Sequence, residues 1–582
     1  MKHSNQNFAN PLQLSKMSMK QSRNAFKMSY HENFSSPVGQ IIPCHVQDVC
    51  PGDYVKLNLQ SFSRTVPCNT AAFARMTEHV DFYFVPYHLL WRPFKQLVNP
   101  VPDVNSALSL SSEKSNTVSG VPYFTASQVA SMFTNDSNAG HTQYTLFGLP
   151  NRPFAARLLD MLSYYSDPTH AYLDKGDNVV AGQDNTWITN FNNSYQPSWK
   201  FNPFRILAFN RILSDFYRST DYVQSNPRRF NIDDLDSGAQ IPDERLRSLF
   251  HCIRSGDTDS TTAGVYSCFP FAKWHLDRLI SVKPSQLYGS FIPDPSTVNT
   301  SSLNNFSFDP LSGSVFSQTA NSSSDYFTST QTLRIAQSLE KIGRLAMSAP
   351  KTFRAQQAAL FGESSPSCDN CSPRYLGSYD SSLDISEVTA STSYDSGNPT
   401  TSNYLGEVGG KGTSANQKNG VIKFKAEDFG VIMGVHYIVP DAEYQMNRYN
   451  RHCCKLTRSD FFNPAFDRLG LQPLYRGEIV LSKPDNQTIV GMQARYIEYK
   501  TRENEIHGNF QRGRNLQAWS IPRNIDYTAT DGVSRFYVHP DVVDSLFKVN
   551  YDGTEVTDQF YCHYYFDQTI VQNKSAVGLP IL

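Results

Sequence analysis

The sequence predicts a mainly β protein, a sandwich or barrel interrupted by long insertions, and three observations carry that expectation. From Tyr54 to Val66, Val55, Leu57 and Leu59 alternate with Lys56, Asn58 and Gln60, the period of an antiparallel strand with one face in a core. In Glu78 to Leu97, Val80, Phe82 and Phe84 alternate with Asp81, Tyr83 and Val85, and no helix separates this segment from the first, which argues against a βαβ sheet. The 582 residues are 13% aromatic and only 18% charged, with 38 Phe and 31 Tyr beside 33 Pro and 31 Gly, a mix that suits a loop-rich β protein with extensive contact surface.

In chain order, Met1 to His31 comes first. Its formally charged side chains are all basic (Lys2, Lys16, Lys20, Arg23, Lys27), and the first acid is Glu32. With Ser, Asn, Gln and Met between them, residues 1–33 are expected to be a flexible arm without a core of its own. Such an arm can lie on phosphates without reading sequence, remain a solvated tail, or drape over a neighbouring subunit. Pro51-Gly52-Asp53 is a turn before the first strand, and Pro86 ends the second by removing a ladder donor, with Leu89, Leu90, Trp91 and Phe94 anchoring the loop that follows.

Asn99 to Lys200 reads as an excursion holding one helix, Pro153 to Tyr165, with Leu158, Leu159, Met161 and Leu162 on its buried face. Pro203 to Arg218 is the clearest helix, with Ile206, Phe209, Leu213 and Phe216 at helical spacing. Arg228 and Arg229 are expected to form surface ion pairs with Asp233 and Asp234, contact with phosphate being the other reading. Glu244 to Arg254 and Leu333 to Leu345 are further packing helices. Between them, Pro293 to Thr330 is rich in Ser, Thr and Asn and reads as a surface loop anchored by a few phenylalanines.

Gly409 to Thr413 resembles a phosphate loop only superficially, since the first glycine of that pattern would be Leu405; an ordered loop with glycine-dependent turns is expected instead. Ile422, Phe424 and Ala426 alternate with Lys423, Lys425 and Glu427, and Val431 to Pro440 reads as a buried strand after a turn. Ala494 to Lys500 (ARYIEYK) is expected to be a strand, as is Gln559 to Val571. The apolar tail Val577 to Leu582 is expected to be tied down at a subunit contact.

The totals exclude several classes. A net charge of -1, from 52 basic and 53 acidic residues, rules out a wholly basic coat, so any DNA contact is local. No apolar run approaches the roughly 18 residues of a membrane span, and the N-terminus lacks a secretory apolar region, so a soluble chain made in a cytoplasm is expected. Cys368 and Cys371 are spaced as CxxC without a second pair, which favours free thiols over a metal site. His275 and Asp277 have no nucleophile beside them, and no GxSxG, HExxH or Walker pattern appears. No catalytic residue, metal or cofactor is expected.

Several motifs stand in a recognisable order: Phe34 to Gly39 (FSSPVG), Pro43, Val49 to Asp53 (VCPGD), Phe62 to Thr65 (FSRT), Phe84-Val85-Pro86 with Leu90-Trp91, and Phe216-Tyr217-Arg218. Trp274 with Asp277, Pro373 to Gly377, Val431 to Pro440 and Trp519 continue the series. Together they resemble the major capsid proteins of the small icosahedral single-stranded DNA bacteriophages, the microviruses, in a gokushovirus-like form. The resemblance implies a single eight-stranded antiparallel jelly roll, the viral β-sandwich, with long loop and helical insertions. It further implies a T=1 icosahedral shell of copies of this chain around a circular single-stranded DNA genome, with minor virion proteins and a bacterial surface receptor as further partners. The location implied is the virion, after assembly in the bacterial host cytoplasm. On this basis residues 1–33 form the arm, 34–98 the first strands, 99–420 the insertions, with 293–330 a variable protrusion, and 421–582 the closing strands and tail. Lys16, Lys20, Arg23 and Lys27 are the expected nucleic-acid contacts. A glycan-binding, lectin-like β-sandwich is the alternative from another class. A cupin-type enzyme would need clustered His and Glu ligands on facing strands, which the sequence does not display.

Overall fold

The computed structural model describes residues 23–98, 118–133, 157–164, 198–251, 270–284, 353–362, 372–389, 408–416, 420–481, 486–523, 536–547 and 558–576, apart from a few single positions, with short pieces at 145–150 and 306–349. Ten strands make one antiparallel sheet. They are β1 (Asn24–Lys27), β2 (Tyr30–Ser36), β3 (Ile42–Val49), β4 (Tyr54–Thr65), β5 (Met76–Pro86), β6 (Arg374–Thr389), β7 (Val408–Asn416), β8 (Ile422–Lys425), β9 (Gly430–Pro440) and β10 (Phe560–Gln572). Their order is β1-β10-β4-β7-β6-β5-β9-β3, with β2 also beside β10 and β8 beside β4. Eight strands were expected and the sheet has ten.

The sheet curls into a half-barrel. β10 and β5 are four places apart in the order, about 19 Å in a flat sheet, yet the rings of Phe566 and Phe82 lie 6.4 Å apart. The two margins approach as well: the Tyr30 hydroxyl of β2 is 2.6 Å from Nδ1 of His45 on β3. Alternation supplies the inward side chains, Val55, Leu57 and Leu59 from β4 and Phe560, Tyr564 and Phe566 from β10, all buried.

Outside this curl, insertion helices cover β5 and β9. Helix α1 (Ala126–Phe133) packs near α3 (Asp243–Leu249), and α2 (Phe204–Ile212) runs on as one π-helical turn, Leu213–Tyr217. Tyr83 on β5 meets the Phe216 ring at 4.6 Å, while Asp81 accepts hydrogen bonds from Tyr217 (2.6 Å) and Tyr437 (3.0 Å). This is why Val80 to Pro86 is buried on both faces.

Several expectations are corrected. Gly409 to Thr413 is no loop; it lies in β7, between β6 and β4. A Cβ on Gly412 would stand 2.6 Å from Cγ2 of Thr65, so the glycine serves close strand packing and not a turn. ARYIEYK is not a strand: pairing stops with Ile489–Ala494, Tyr496 takes φ 59°, and Ile497–Tyr499 is a 3-10 turn. Arg228 and Arg229 do not form the expected surface pairs. Arg229 is fully buried, 3.4 Å from His251, while Asp233 pairs with Arg92 and Asp234 with Arg245. The helix from Glu244 ends at Leu249, and His251 takes φ 59°. Pairing begins at Asn24, inside the segment expected to be an arm.

Of Pro153 to Tyr165, residues 157–161 are helical, with Leu158 and Leu159 buried. Leu333 to Leu345 is helical where described. The loop from Pro293 to Thr330, apart from a two-residue ladder, and the tail Val577 to Leu582 lie outside the described residues. Cys368 and Cys371 do too; the described cysteines, Cys44, Cys50, Cys68, Cys453, Cys454 and Cys562, are free thiols. No helix among the described residues is long and apolar enough to cross a membrane.

Candidate functional site

The curl brings one polar centre together from six strands. Glu78 Oε1 accepts hydrogen bonds from Ser63 and Tyr564, each at 2.6 Å, and Oε2 accepts one from Ser414 at 3.1 Å. Ser414 in turn meets Ser381. Nδ1 of His436 lies 2.6 Å from the Tyr564 hydroxyl, and its Nε2 is 3.9 Å from Sγ of Cys562. All of these side chains are buried. Burial raises the Glu78 carboxyl above its usual range, although its hydroxyl donors oppose that, and lowers His436 to about 3. Burial also pushes the Cys562 thiol well up, so it keeps its proton.

Ligand-type atoms of Glu78, His436 and Cys562 lie within 4.8 Å of one another, a clustering the sequence did not display. Their mutual hydrogen bonds and closure from solvent make them a fastening between facing walls of the half-barrel, where a substrate has no approach. Tyr564 is 486 positions from Glu78 in the chain, so no local pattern could place them together.

A second charged cluster lines a cleft of about 590 Å³. Arg278 pairs with Glu478 at 2.9 Å and with Glu503 at 2.5 Å, Arg448 with Glu505 at 3.0 Å, and Arg451 with Glu478 at 3.0 Å. These cations are matched within the chain, so the network ties β-poor C-terminal segments together. Asp277 has a structural part, accepting hydrogen bonds from the backbone N–H groups of Leu279 (2.8 Å) and Ile280 (2.9 Å) and from the Tyr444 hydroxyl.

Of the four residues expected to touch nucleic acid, Lys16 and Lys20 lie outside the described residues. Arg23 donates from Nη2 to the carbonyl of Gly52 at 2.7 Å, at the edge of the sheet. Lys27 is exposed at the end of β1, in register with Thr569 of β10, which is itself in register with Lys56 of β4. The structure therefore brings Lys27 beside cations that sequence reading did not single out.

Elsewhere, large apolar side chains stand in solvent: Leu456 is 86% exposed and Phe73 70%. Phe461 and Phe462 are also exposed, the latter beside Tyr499 at 6.0 Å between rings. Residues 15–168 and 194–582 match the phage family described as capsid protein (F protein). The chain belongs to that family. The capsid protein VP1 of Chlamydia phage 1 is similar to it, 22% identical over 603 aligned positions that span 96% of this chain and 95% of that protein. The capsid protein VP1 of Bdellovibrio phage phiMH2K is 26% identical over 158 positions, 26% of this chain and 28% of that one. The microvirus resemblance read from the motifs holds: this F-family chain is a bacteriophage capsid protein, a structural component of the virion and not an enzyme.

Proposed function

We propose that this capsid protein assembles into a T=1 icosahedral shell enclosing circular single-stranded DNA, with surface loops that contact the bacterial host. The family match over nearly the whole chain carries the reading. The strand order supports the finer jelly-roll assignment. When β1 and β2 are taken as one interrupted strand on β10, and β7 and β8 as another on β4, eight strands remain. They fall into two walls, β2-β10-β4-β7 and β3-β9-β5-β6, joined through the β6-β7 pair. A rigid frame of this kind presents fixed surfaces, and closed symmetry turns modest contacts into a stable particle. Minor virion proteins and a bacterial surface receptor are the further partners, and assembly occurs in the host cytoplasm.

Electron microscopy and sizing of the purified protein test this reading: closed particles of uniform diameter are expected. A persistent monomer with saturable sugar binding would favour a lectin-like sandwich instead.

The basic N-terminal segment holds the genome through phosphate contacts. Replacing Lys16, Lys20, Arg23 and Lys27 by Gln is expected to lower packaged DNA, measured as nuclease-protected nucleotides per particle, with little change in folding. Unchanged genome content would remove this role.

A further inference from the structure

The outward face of the wall β2-β10-β4-β8 combines cations with exposed rings. Strand register sets the arrangement. Lys27, Thr569, Lys56 and Lys423 form one row across β1, β10, β4 and β8, and Lys425 projects beside them. Lys27, Lys56, Lys423 and Lys425 are all exposed. Lys56 and Lys423 are direct cross-strand partners, and like charges placed so are unfavourable unless an anion lies over them. Among the described residues of these five strands, the one acid on this face is Asp567, which accepts a hydrogen bond from Ser29 at 2.9 Å.

Six residues along β4 from Lys56, about 20 Å away, the same face becomes aromatic. Phe62 is in register with His563, and Tyr561 with Arg64; Phe62 is 38% exposed and Tyr561 51%. His31 of β2 lies against Tyr565 at 4.6 Å and against His563 at 5.2 Å between rings. The Arg64 guanidinium sits 4.8 Å over the Phe62 ring. A large ring held in water on a strand loses burial, and here several are grouped around Arg64 on the face that carries the lysine row.

We infer that this face is a binding surface for single-stranded nucleic acid, the lysine row neutralising phosphates and the rings of Phe62, Tyr561 and Tyr565 stacking unpaired bases. The two halves together select the occupant. An acidic protein would satisfy the lysines without using the rings, and a duplex hides its base faces; a single strand offers both charge and exposed bases. The inference rests on the shell reading for its biological setting and extends nucleic-acid contact from the N-terminal segment to the sheet itself.

The test uses the full-length protein and a labelled oligothymidylate of about 20 nucleotides, with affinity measured by fluorescence anisotropy across a salt series. Phe62→Ala with Tyr561→Ala is expected to weaken binding about tenfold or more at every salt concentration. Lys56→Gln with Lys423→Gln is expected to weaken it and to lower the slope of log affinity against log salt by about 1.4. Should a pair of changes impair folding, Phe62→Ser and Lys423→Gln carry the comparison singly. Unchanged affinity in both variants overturns the inference. So does normal oligonucleotide binding coupled with lost assembly, which would make this face a contact with a second copy. Particle formation, scored separately by microscopy, tells failure of this inference apart from failure of the shell reading: a wild-type chain that binds the oligonucleotide through these residues but never closes particles leaves the inference standing and removes the shell.

Discussion

Asp558→Ala is expected to destabilise the protein by about 3–5 kcal/mol, read as a shift in the denaturant midpoint of the unassembled chain. Asp558 stands just before β10, and its carboxylate accepts both hydrogen bonds from Nη2 of Arg157, at 2.9 Å to Oδ1 and 2.7 Å to Oδ2. Both side chains are 3% exposed. Ser35 of β2 donates to Oδ2 at 2.5 Å, and Arg157 also donates to the side chain of Gln40. The cluster therefore pins the helical segment at 157–161 to the margin of the sheet. A guanidinium cannot shed its proton to escape a buried site, so removing the carboxylate leaves a desolvated charge. Removing both charges avoids that cost. Arg157→Met combined with Asp558→Leu is expected to be much less damaging than Asp558→Ala alone; a double variant as unstable as the sum of its parts would show that the pair is not acting as a unit.

The strands that could be read from the sequence share a property: their inward residues are large and apolar. β4, β9 and β10 show it, with Leu57 and Leu59, Ile432 and Ile438, and Phe560 and Phe566 buried in alternation or in a continuous run. β6 and β7 escaped because small residues interrupt theirs. Ser381 stands between Tyr379 and Leu383 on the inward face of β6, and Gly412 and Ser414 point inward from β7, so the period is present while the hydrophobic signal is broken. Small polar residues fit there because the hydroxyls serve the Glu78 centre and the neighbouring strand β4 approaches closely at Thr65. The opposite error occurred at ARYIEYK, whose alternation is real but is broken by the left-handed backbone of Tyr496, a conformation that no composition rule assigns to tyrosine.

Side-chain sites were less legible than strands. Arg229 sits in a sequence that looks like a charged surface turn, yet the fold buries it against His251, whose protonation is suppressed by burial and by that arginine. The aromatic and basic face of β4 and β10 was hidden for a different reason. Each strand shows only alternate residues to solvent, and Lys27, Lys56 and Lys423 become neighbours solely through register between distant segments. The family motifs carried the overall identity because they record positions in order, which register does not need to explain.

Gly39→Ala is expected to cost about 2–5 kcal/mol, a large penalty for one methyl group. Gly39, the last residue of FSSPVG, has φ +77°, and a Cβ there would stand 2.6 Å from the carbonyl oxygen of Val538 and 2.8 Å from its Cβ. Three segments meet at this point: the Gly39 N–H donates to Ile438 at 2.9 Å, its carbonyl accepts from Ala272 at 2.7 Å, and Val538 donates to Ala272 at 2.8 Å. The obstructing atoms are the carbonyl oxygen of Val538 and the root of its β-branched side chain, which cannot swing away, so the methyl group can be accommodated only by parting this junction between β9, the insertion and the segment at 538. Gly513 provides the control. It has the same φ of +77° with nothing within 4 Å of the position a Cβ would take. Gly513→Ala is thus expected to show only the left-handed backbone cost, about 1–2 kcal/mol, and to assemble normally. Thermal midpoints of the two variants measured side by side separate conformational strain from steric exclusion; equal losses would mean that the approach of Val538 contributes nothing to the demand for glycine at position 39.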